Sequence, residues 1–369
     1  MSVARAVRAV LRPLSLAQIR HVRPVPPRSA PPRVARVYRA LEGEFGLLAP
    51  PVALHAPSPD VLAASWVLLR EAMVVPGRAP AAAKEAVAVA VSEHNACPFC
   101  VVVHSAMLDS LAPARRSPAT DSHGATDRRA AGDWARAGLL RPGTAHPAPV
   151  LPPLPDLAYE AELTAVAVLL HYLNRMAQVF LGPLPMPPGV PAPALGAVMP
   201  VLTWLRRDAE RRVGAPGESL TLLAPGPAAP PAWTDVTPEH LAAACGRVAA
   251  VMEAAGERSV AAPVRALVER ALREWDGRAP GPGRGWTRPL LAGTDPAQRP
   301  AAQLALLVAL APYQVGPSVI AEFRTGGATD AHLVDLAAWA SMAAAREAGG
   351  RLRPAPLAAR EREPASRPV

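Results

Sequence analysis

The chain contains little cysteine, few aromatic residues and almost no lysine. Its 369 residues include three cysteines, which excludes a framework of several disulfide bonds. Aromatic residues make up 4% of the chain, so the core must be built from alanine, valine and leucine. Isoleucine, threonine and aromatic residues, which favour strands, are scarce, whereas residues that favour helices are abundant. The composition therefore predicts an all-α protein.

Long hydrophobic runs are also missing. No run reaches the ~18 apolar residues that a membrane-spanning helix requires, and the N-terminus has no apolar segment of the length that a secretory signal needs. We therefore expect a cytoplasmic protein without a membrane partner. Half of the residues are apolar, which is enough to bury a sizeable core at a length of about two domains of ~150 residues.

Acidic residues are outnumbered, with 30 Asp and Glu against 39 Lys and Arg, for a net charge of +9. Such a charge is typical of nucleic-acid-binding proteins. No helix-turn-helix, zinc-finger or RRM motif accompanies it, however, and the arginine comes with heavy use of alanine, proline and glycine. We expect no nucleic-acid partner. The alternative is a nucleic-acid-binding protein that contacts its ligand mainly through the basic residues 1–40.

Proline-rich stretches divide the chain into five predicted parts. They are a basic, partly disordered arm at 1–40, a helical domain at 41–213, a Pro-rich linker at 214–238, a second helical unit at 239–350 and a disordered tail at 351–369. Both closely spaced cysteines lie in the first helical domain, and the second unit has no cysteine pair.

The segment "EAVAVAVSEHNACPFCVVVH" (85–104) carries the chain's chemistry. Its alanine-rich first part predicts a buried helix. Proline at 98 pushes the preceding Cys97 out of the α region and suits a first helical position. We therefore predict a second helix from Pro98 to about Ser110, with Cys97 as its N-cap.

In this arrangement Cys97, Cys100 and His104 share one helix face, with spacing i, i+3, i+7. The amides at a helix N-terminus stabilise a thiolate, which ranks Cys97 as the more acidic thiol. His104 can take a proton from Cys100, and Glu85 can reach the same point if the two helices pack antiparallel. A thiolate here can attack a peroxide, and the resulting sulfenic acid can condense with the neighbouring thiol to a disulfide.

The pattern Glu-x11-Cys-x2-Cys-x3-His resembles the alkylhydroperoxidase D-like / carboxymuconolactone decarboxylase superfamily, in its CxxC-containing peroxidase branch. The resemblance covers roughly residues 44–135 and is weaker at "LLHYLNRMAQVFL", which is similar to an "FHxxNR" helix of longer members. It implies an all-helical bundle, a hydroperoxide substrate, no cofactor and an external dithiol reductant of lipoyl or thioredoxin type. It also leaves a homo-oligomer open.

The resemblance further implies residue roles. Cys100 would be peroxidatic and Cys97 resolving, with His104 and Glu85 as a proton relay. This order differs from the one that helix-terminus electrostatics favours, and we follow the resemblance because His104 lies one turn from Cys100. The chain departs from some peroxidase members in having Phe99, where they carry a second histidine before the second cysteine.

The second half repeats the first weakly. "LLREAMVVPGRAP" (68–80) is similar to "LVERALREWDGRAP" (267–280), and "GATD" occurs in both halves. We interpret this as an internal tandem of two related helical units, the second degenerate. The alternative is chance similarity in a biased composition. The alignment places Gln303, Val315, Ser318 and Glu322 opposite Glu85, Cys97, Cys100 and His104.

Other interpretations of these residues stay open. Cys97, Cys100 and His104 could be zinc ligands in a non-catalytic scaffold, with His94 or His171 as the fourth ligand, although the ligand spacing is not recognisable. An enzyme related to carboxymuconolactone decarboxylase but with another activity is a further alternative.

Polar residues outside this segment have simpler interpretations. His171, Asn174 and Arg175 share one face of an apolar helix, where a satisfied polar network is slightly favoured over a role in the pocket. Cys245, within "LAAACGRVAA", is predicted to be a small core residue.

Overall fold

A computed structural model describes residues 3–111, 122–139, 152–182, 195–225 and 237–352, apart from the side chains of 122–125 and 195–199. Every regular element in these ranges is a helix, which confirms the all-α prediction. The α-helices are α1 Val3–Ala17, α2 Pro32–Glu44, α3 Pro50–Ala53, α4 Pro59–Leu69, α5 Ala81–His94, α6 Pro98–Ser110, α7 Ser122–Gly138, α8 Leu157–Phe180, α9 Leu195–Glu210, α10 Glu239–Ser259, α11 Ala262–Glu274, α12 Thr287–Leu290, α13 Arg299–Leu310, α14 Pro317–Arg324 and α15 Asp330–Arg351.

Local sequence explains where many helices begin. Proline occupies one of the first two positions of α4, α6, α13 and α14, where its missing N–H would have had no partner in the helix. Asp156 caps α8 by accepting the Tyr159 N–H at 2.9 Å. Thr329 and His332 form a capping box at the start of α15. No described helix is both long enough and apolar enough to cross a membrane.

Two long helices form the centre of the bundle. α8 packs against α5 on one side and against α15 on the other, and α15 also contacts α10 and α13. Small residues allow the close approach of α8 and α15, since a Cβ added at Gly349 would lie 2.3 Å from Val168 Cγ2. Buried apolar residues from both halves of the chain join in one continuous cluster.

The N-terminal residues, for which the sequence predicts partial disorder, contain helices α1 and α2. Two arginines of α1 form ion pairs with residues that are distant in the sequence. Arg8 pairs with Asp208 at 3.0 Å, and Arg12 makes two hydrogen bonds to Glu42, at 2.5 and 2.6 Å. These partners could not be read from a local stretch without acidic residues.

The remaining predicted boundaries are only partly within the described ranges. In the Pro-rich stretch, a short 3-10 helix at Glu218–Leu222 is attached to the core because Gly217 N–H and Ser219 Oγ donate to Glu71, at 2.9 and 2.6 Å. Residues 226–236 and 353–369 lie outside the described residues. The division into five parts therefore stays a prediction.

Candidate redox site

Helices α5 and α6 bring the sequence-predicted residues together. α5 is buried over most of its length, and its alanines and valines pack against α6, α7 and α8. The structure confirms both the helix that begins at Pro98 and ends at Ser110 and the position of Cys97 as its N-cap.

A tight turn joins the two helices. Ala96 N–H donates to Glu93 O, and Cys97 N–H donates to Ser92 O, both at 3.0 Å. This pair of bonds is the Schellman pattern, which places one residue in the left-handed region, usually glycine. Here the residue is Ala96, with φ +48°, so the turn carries strain on the order of 1 kcal/mol. Cys97 is therefore both the last residue of this turn and the N-cap of α6.

The two thiols lie about one turn apart at the start of α6 and are both buried, with 1% of Cys97 and 4% of Cys100 exposed. The hydrogen bond from Cys100 lowers the pKa of Cys97, with further help from the backbone N–H groups of Cys100 and Phe99 and against the effect of burial. The same hydrogen bond, burial and the neighbouring charge raise the pKa of Cys100 well above its usual range. The proton that leaves first therefore comes from Cys97, as helix-terminus electrostatics predicts.

His104 and Glu85 form the second pair of the site. His104 Nδ1 lies 2.7 Å from Glu85 Oε2 across the contact between α6 and α5, and 18% and 7% of the two side chains are exposed. Within the described part of the chain, neither His104 nor Glu85 forms a hydrogen bond to a thiol. The structure thus places all four predicted residues at one helix pair, with His104 and Glu85 in contact across it.

Of the polar residues around the turn, sequence analysis singled out His171 and Asn174 as part of a polar network but missed their partners Asn95 and Ser92, as well as Gln178. The Asn95 side-chain amide lies 3.2 Å from His171 Nδ1, and Gln178 Nε2 donates to Asn95 O at 2.9 Å. Ser92 Oγ lies 3.3 Å from Asn174 Oδ1. The local sequence "SEHNAC", a polar run that follows an apolar helix, is the signal that could have identified Ser92 and Asn95.

The residues considered as zinc ligands are engaged elsewhere. His94 Nε2 contacts Gly277 O at 3.0 Å, and its ring packs edge-on against His171 with centroids 6.3 Å apart. No group of three or more His, Cys, Asp or Glu side chains that could hold a metal was found in the ranges that the structure describes. Cys245 is buried in α10, and burial raises its pKa to about 12.

A separate pocket of about 740 Å³ opens in the second half, away from the thiols. Its lining includes three of the residues that the tandem alignment placed opposite the redox residues, namely Gln303, Ser318 and Glu322, together with Arg288 and Arg299. The fourth, Val315, is buried. The tandem itself stays a prediction.

Comparison with known proteins places the chain in a family. No family profile matches it, and no solved structure matches it. A protein named alkyl hydroperoxide reductase from Mycobacterium tuberculosis is 35% identical over 341 residues, which cover 90% of this chain and 94% of the relative. The chain therefore belongs to the family of that alkyl hydroperoxide reductase.

Proposed function

We propose that the protein is a thiol-dependent peroxidase of the alkylhydroperoxidase D-like type, within the carboxymuconolactone decarboxylase superfamily. The observation that carries the proposal is the placement of two buried thiols, one with a lowered and one with a raised pKa, on the same helix as a histidine that contacts Glu85. The name of the mycobacterial relative supports a hydroperoxide substrate.

The proposed cycle begins with the shared proton of the two sulfurs. Because the pKa of Cys97 is lowered and that of Cys100 is raised, we assign the first negative charge to Cys97 and the remaining proton to Cys100. Movement of that proton to Cys97 makes Cys100 the thiolate. Its sulfur attacks one peroxide oxygen, the O–O bond breaks, and the leaving alkoxide takes a proton from the His104–Glu85 pair. The products are an alcohol and a sulfenic acid on Cys100.

Cys97 then resolves the sulfenic acid. Cys97 gives its proton to the His104–Glu85 pair, which lost one to the alkoxide, and the resulting thiolate attacks the Cys100 sulfur. The disulfide forms as the S–O bond breaks, and the leaving hydroxide takes the proton back from the same pair to give water. An external dithiol, of lipoyl or thioredoxin type by family resemblance, reduces the disulfide by thiol–disulfide exchange and is itself oxidised. Because both sulfurs are buried, reaction with either partner requires local opening around α6.

The test is peroxide consumption with excess dithiol by the wild type, Cys100→Ser and Cys245→Ser. We expect Cys100→Ser to fall to the uncatalysed rate and Cys245→Ser, which alters a thiol outside the site, to match the wild type. Wild-type turnover by Cys100→Ser would overturn the proposal.

A further inference from the structure

The left-handed residue in the turn before Cys97 has no side chain that could stabilise its conformation. Ala96 is exposed and contributes only a methyl group, yet it holds the left-handed conformation. A strained residue persists only where its surroundings impose the conformation. The source of that constraint must lie in the residues packed against the turn.

Helix α8 supplies the constraint from the core side. His171, which is 1% exposed, contacts the Asn95 side chain, and Gln178 donates to the Asn95 carbonyl. Burial and nearby arginines lower the pKa of His171 well below its usual range, so the ring is neutral. The Asn95 amide group lies 3.2 Å from His171 Nδ1, and Arg175 Nη1, which can only donate, approaches the same nitrogen at 3.4 Å.

Arg175 connects this contact to the second half of the chain. Its guanidinium donates to His171 O at 2.8 Å and to Ala309 O, at the end of α13, at 2.9 Å. It also lies 5.5 Å from the ring centroid of Trp275. Burial lowers its pKa to about 9, and no ion pair of Arg175 is recorded in the part of the chain that the structure describes. Arg175 contacts backbone carbonyls and an aromatic ring, and it therefore braces α8 against the second half of the chain.

We propose that Asn95 and His171, braced by Arg175 against the second half of the chain, are positioning residues that hold Cys97 at the start of α6. The inference rests on the proposed function only in that Cys97 is a working thiol. In this arrangement the turn keeps Cys97 at the N-cap of α6, where the free N–H groups of the first helical turn favour its thiolate. The second half then supports the redox centre through its contacts with Arg175, without contributing a thiol.

A purely structural role would change stability and leave the thiol unchanged, so the two roles can be separated. The readout is the pH titration of thiolate absorbance at 240 nm in the reduced protein, without peroxide. Around the turn, burial lowers the pKa of both His94 and His171. His104, Glu85 and Glu93 are retained in every variant.

The experiment compares His171→Ala and His171→Gln with Tyr172→Phe. Tyr172 lies next to His171 and is equally buried, but its hydroxyl pairs with Ser65 and His55. We expect His171→Ala to raise the pKa of Cys97 by about one, a tenfold decrease in its acid dissociation constant. His171→Gln, which keeps an acceptor, should raise it less. Tyr172→Phe should lower the melting temperature and leave the Cys97 titration unchanged.

The proposal is overturned if folded His171→Ala titrates like the wild type or if Tyr172→Phe shifts the Cys97 pKa as much. Should His171→Ala fail to fold, Asn95→Ala removes the same contact from the half-buried side of the turn, and the same titration decides. A wild type that shows the predicted titrations but consumes no peroxide would contradict the peroxidase proposal and leave this inference standing.

Discussion

The two halves of the chain contain the same kind of helix pair, but only one pair carries thiols. α5 and α13 are both buried helices, and each is followed by a helix that begins at a proline, Pro98 in α6 and Pro317 in α14. The predicted counterparts of the four redox residues are a glutamine, a valine, a serine and a glutamate. The packing of such a pair therefore does not require the redox side chains.

The connections between the helices also differ. α5 and α6 are joined by a strained turn with Ala96 at φ +48°, whereas α13 and α14 are joined by a 3-10 turn, Pro312–Gln314, and by Gly316 at φ −117°. Left-handed backbone at a non-glycine residue thus occurs in the turn before Cys97 and not in the connection between α13 and α14. His21, with φ +68°, is the other such residue among those that the structure describes.

The largest expected effect comes from removing one thiol. Cys97→Ser should abolish multiple turnover with dithiol, at least a 100-fold loss, because the Cys100 sulfenic acid loses its resolving partner. A single addition of peroxide should still oxidise Cys100. The measurement is peroxide consumed per protein, with and without dithiol. Ser318→Ala, at the corresponding position of the second half, should match the wild type, and an equal loss there would break the contrast between the halves.

Removing the carboxylate of the relay should have the next largest effect. Glu85→Gln keeps the shape of the side chain but not the charge that faces His104 at 2.7 Å. We expect kcat/KM for peroxide to fall by about 100-fold, the usual scale for a proton-transfer group. Gln303→Glu is the matched variant in the second half and should change nothing. An unaltered rate in Glu85→Gln would exclude the relay.

Acid should destabilise the protein through its first half, where the buried histidines recorded among the described residues, His55 and His171, both lie. Burial lowers the pKa of His55 to about 4, so between pH 6.5 and 4 the unfolded chain binds a proton that the folded chain does not. The free energy of unfolding should therefore fall as the pH drops through this range, by about 3 kcal/mol for His55 alone. Urea unfolding at pH 7 and pH 4.5 measures it.

His55→Gln supplies the control for the acid experiment, since it cannot titrate. Its unfolding free energy should decline less between the two pH values than that of the wild type. Identical slopes for the two proteins would show that His55 does not contribute.

The smallest expected effect tests the strained turn directly. Ala96→Gly should raise the free energy of unfolding by about 0.5–1 kcal/mol because glycine adopts φ +48° without strain. The same exchange at Ala321, an exposed helical position of α14, should lower it by about 1 kcal/mol. Chemical denaturation of both variants measures the difference. Changes of the same sign at the two positions would mean that Ala96 is not strained.

Sequence reasoning succeeded where the controlling interactions are local. The proline at 98 sets the start of α6 and so makes Cys97 its N-cap, and helix spacing places His104 one turn beyond Cys100. It could not find the contact between Asn95 and His171, whose residues are 76 positions apart. The helices of the N-terminal arm were missed for the same reason, because Arg8 pairs with Asp208, which lies 200 positions away.

The most direct test of the central claim is a titration of the reduced protein with peroxide, followed by mapping of the disulfide by mass spectrometry. The account predicts that one equivalent of peroxide removes two thiols, forms a Cys97–Cys100 disulfide and leaves Cys245, which lies in α10 outside the site, reduced. Retention of all three thiols, or a disulfide that includes Cys245, would contradict it.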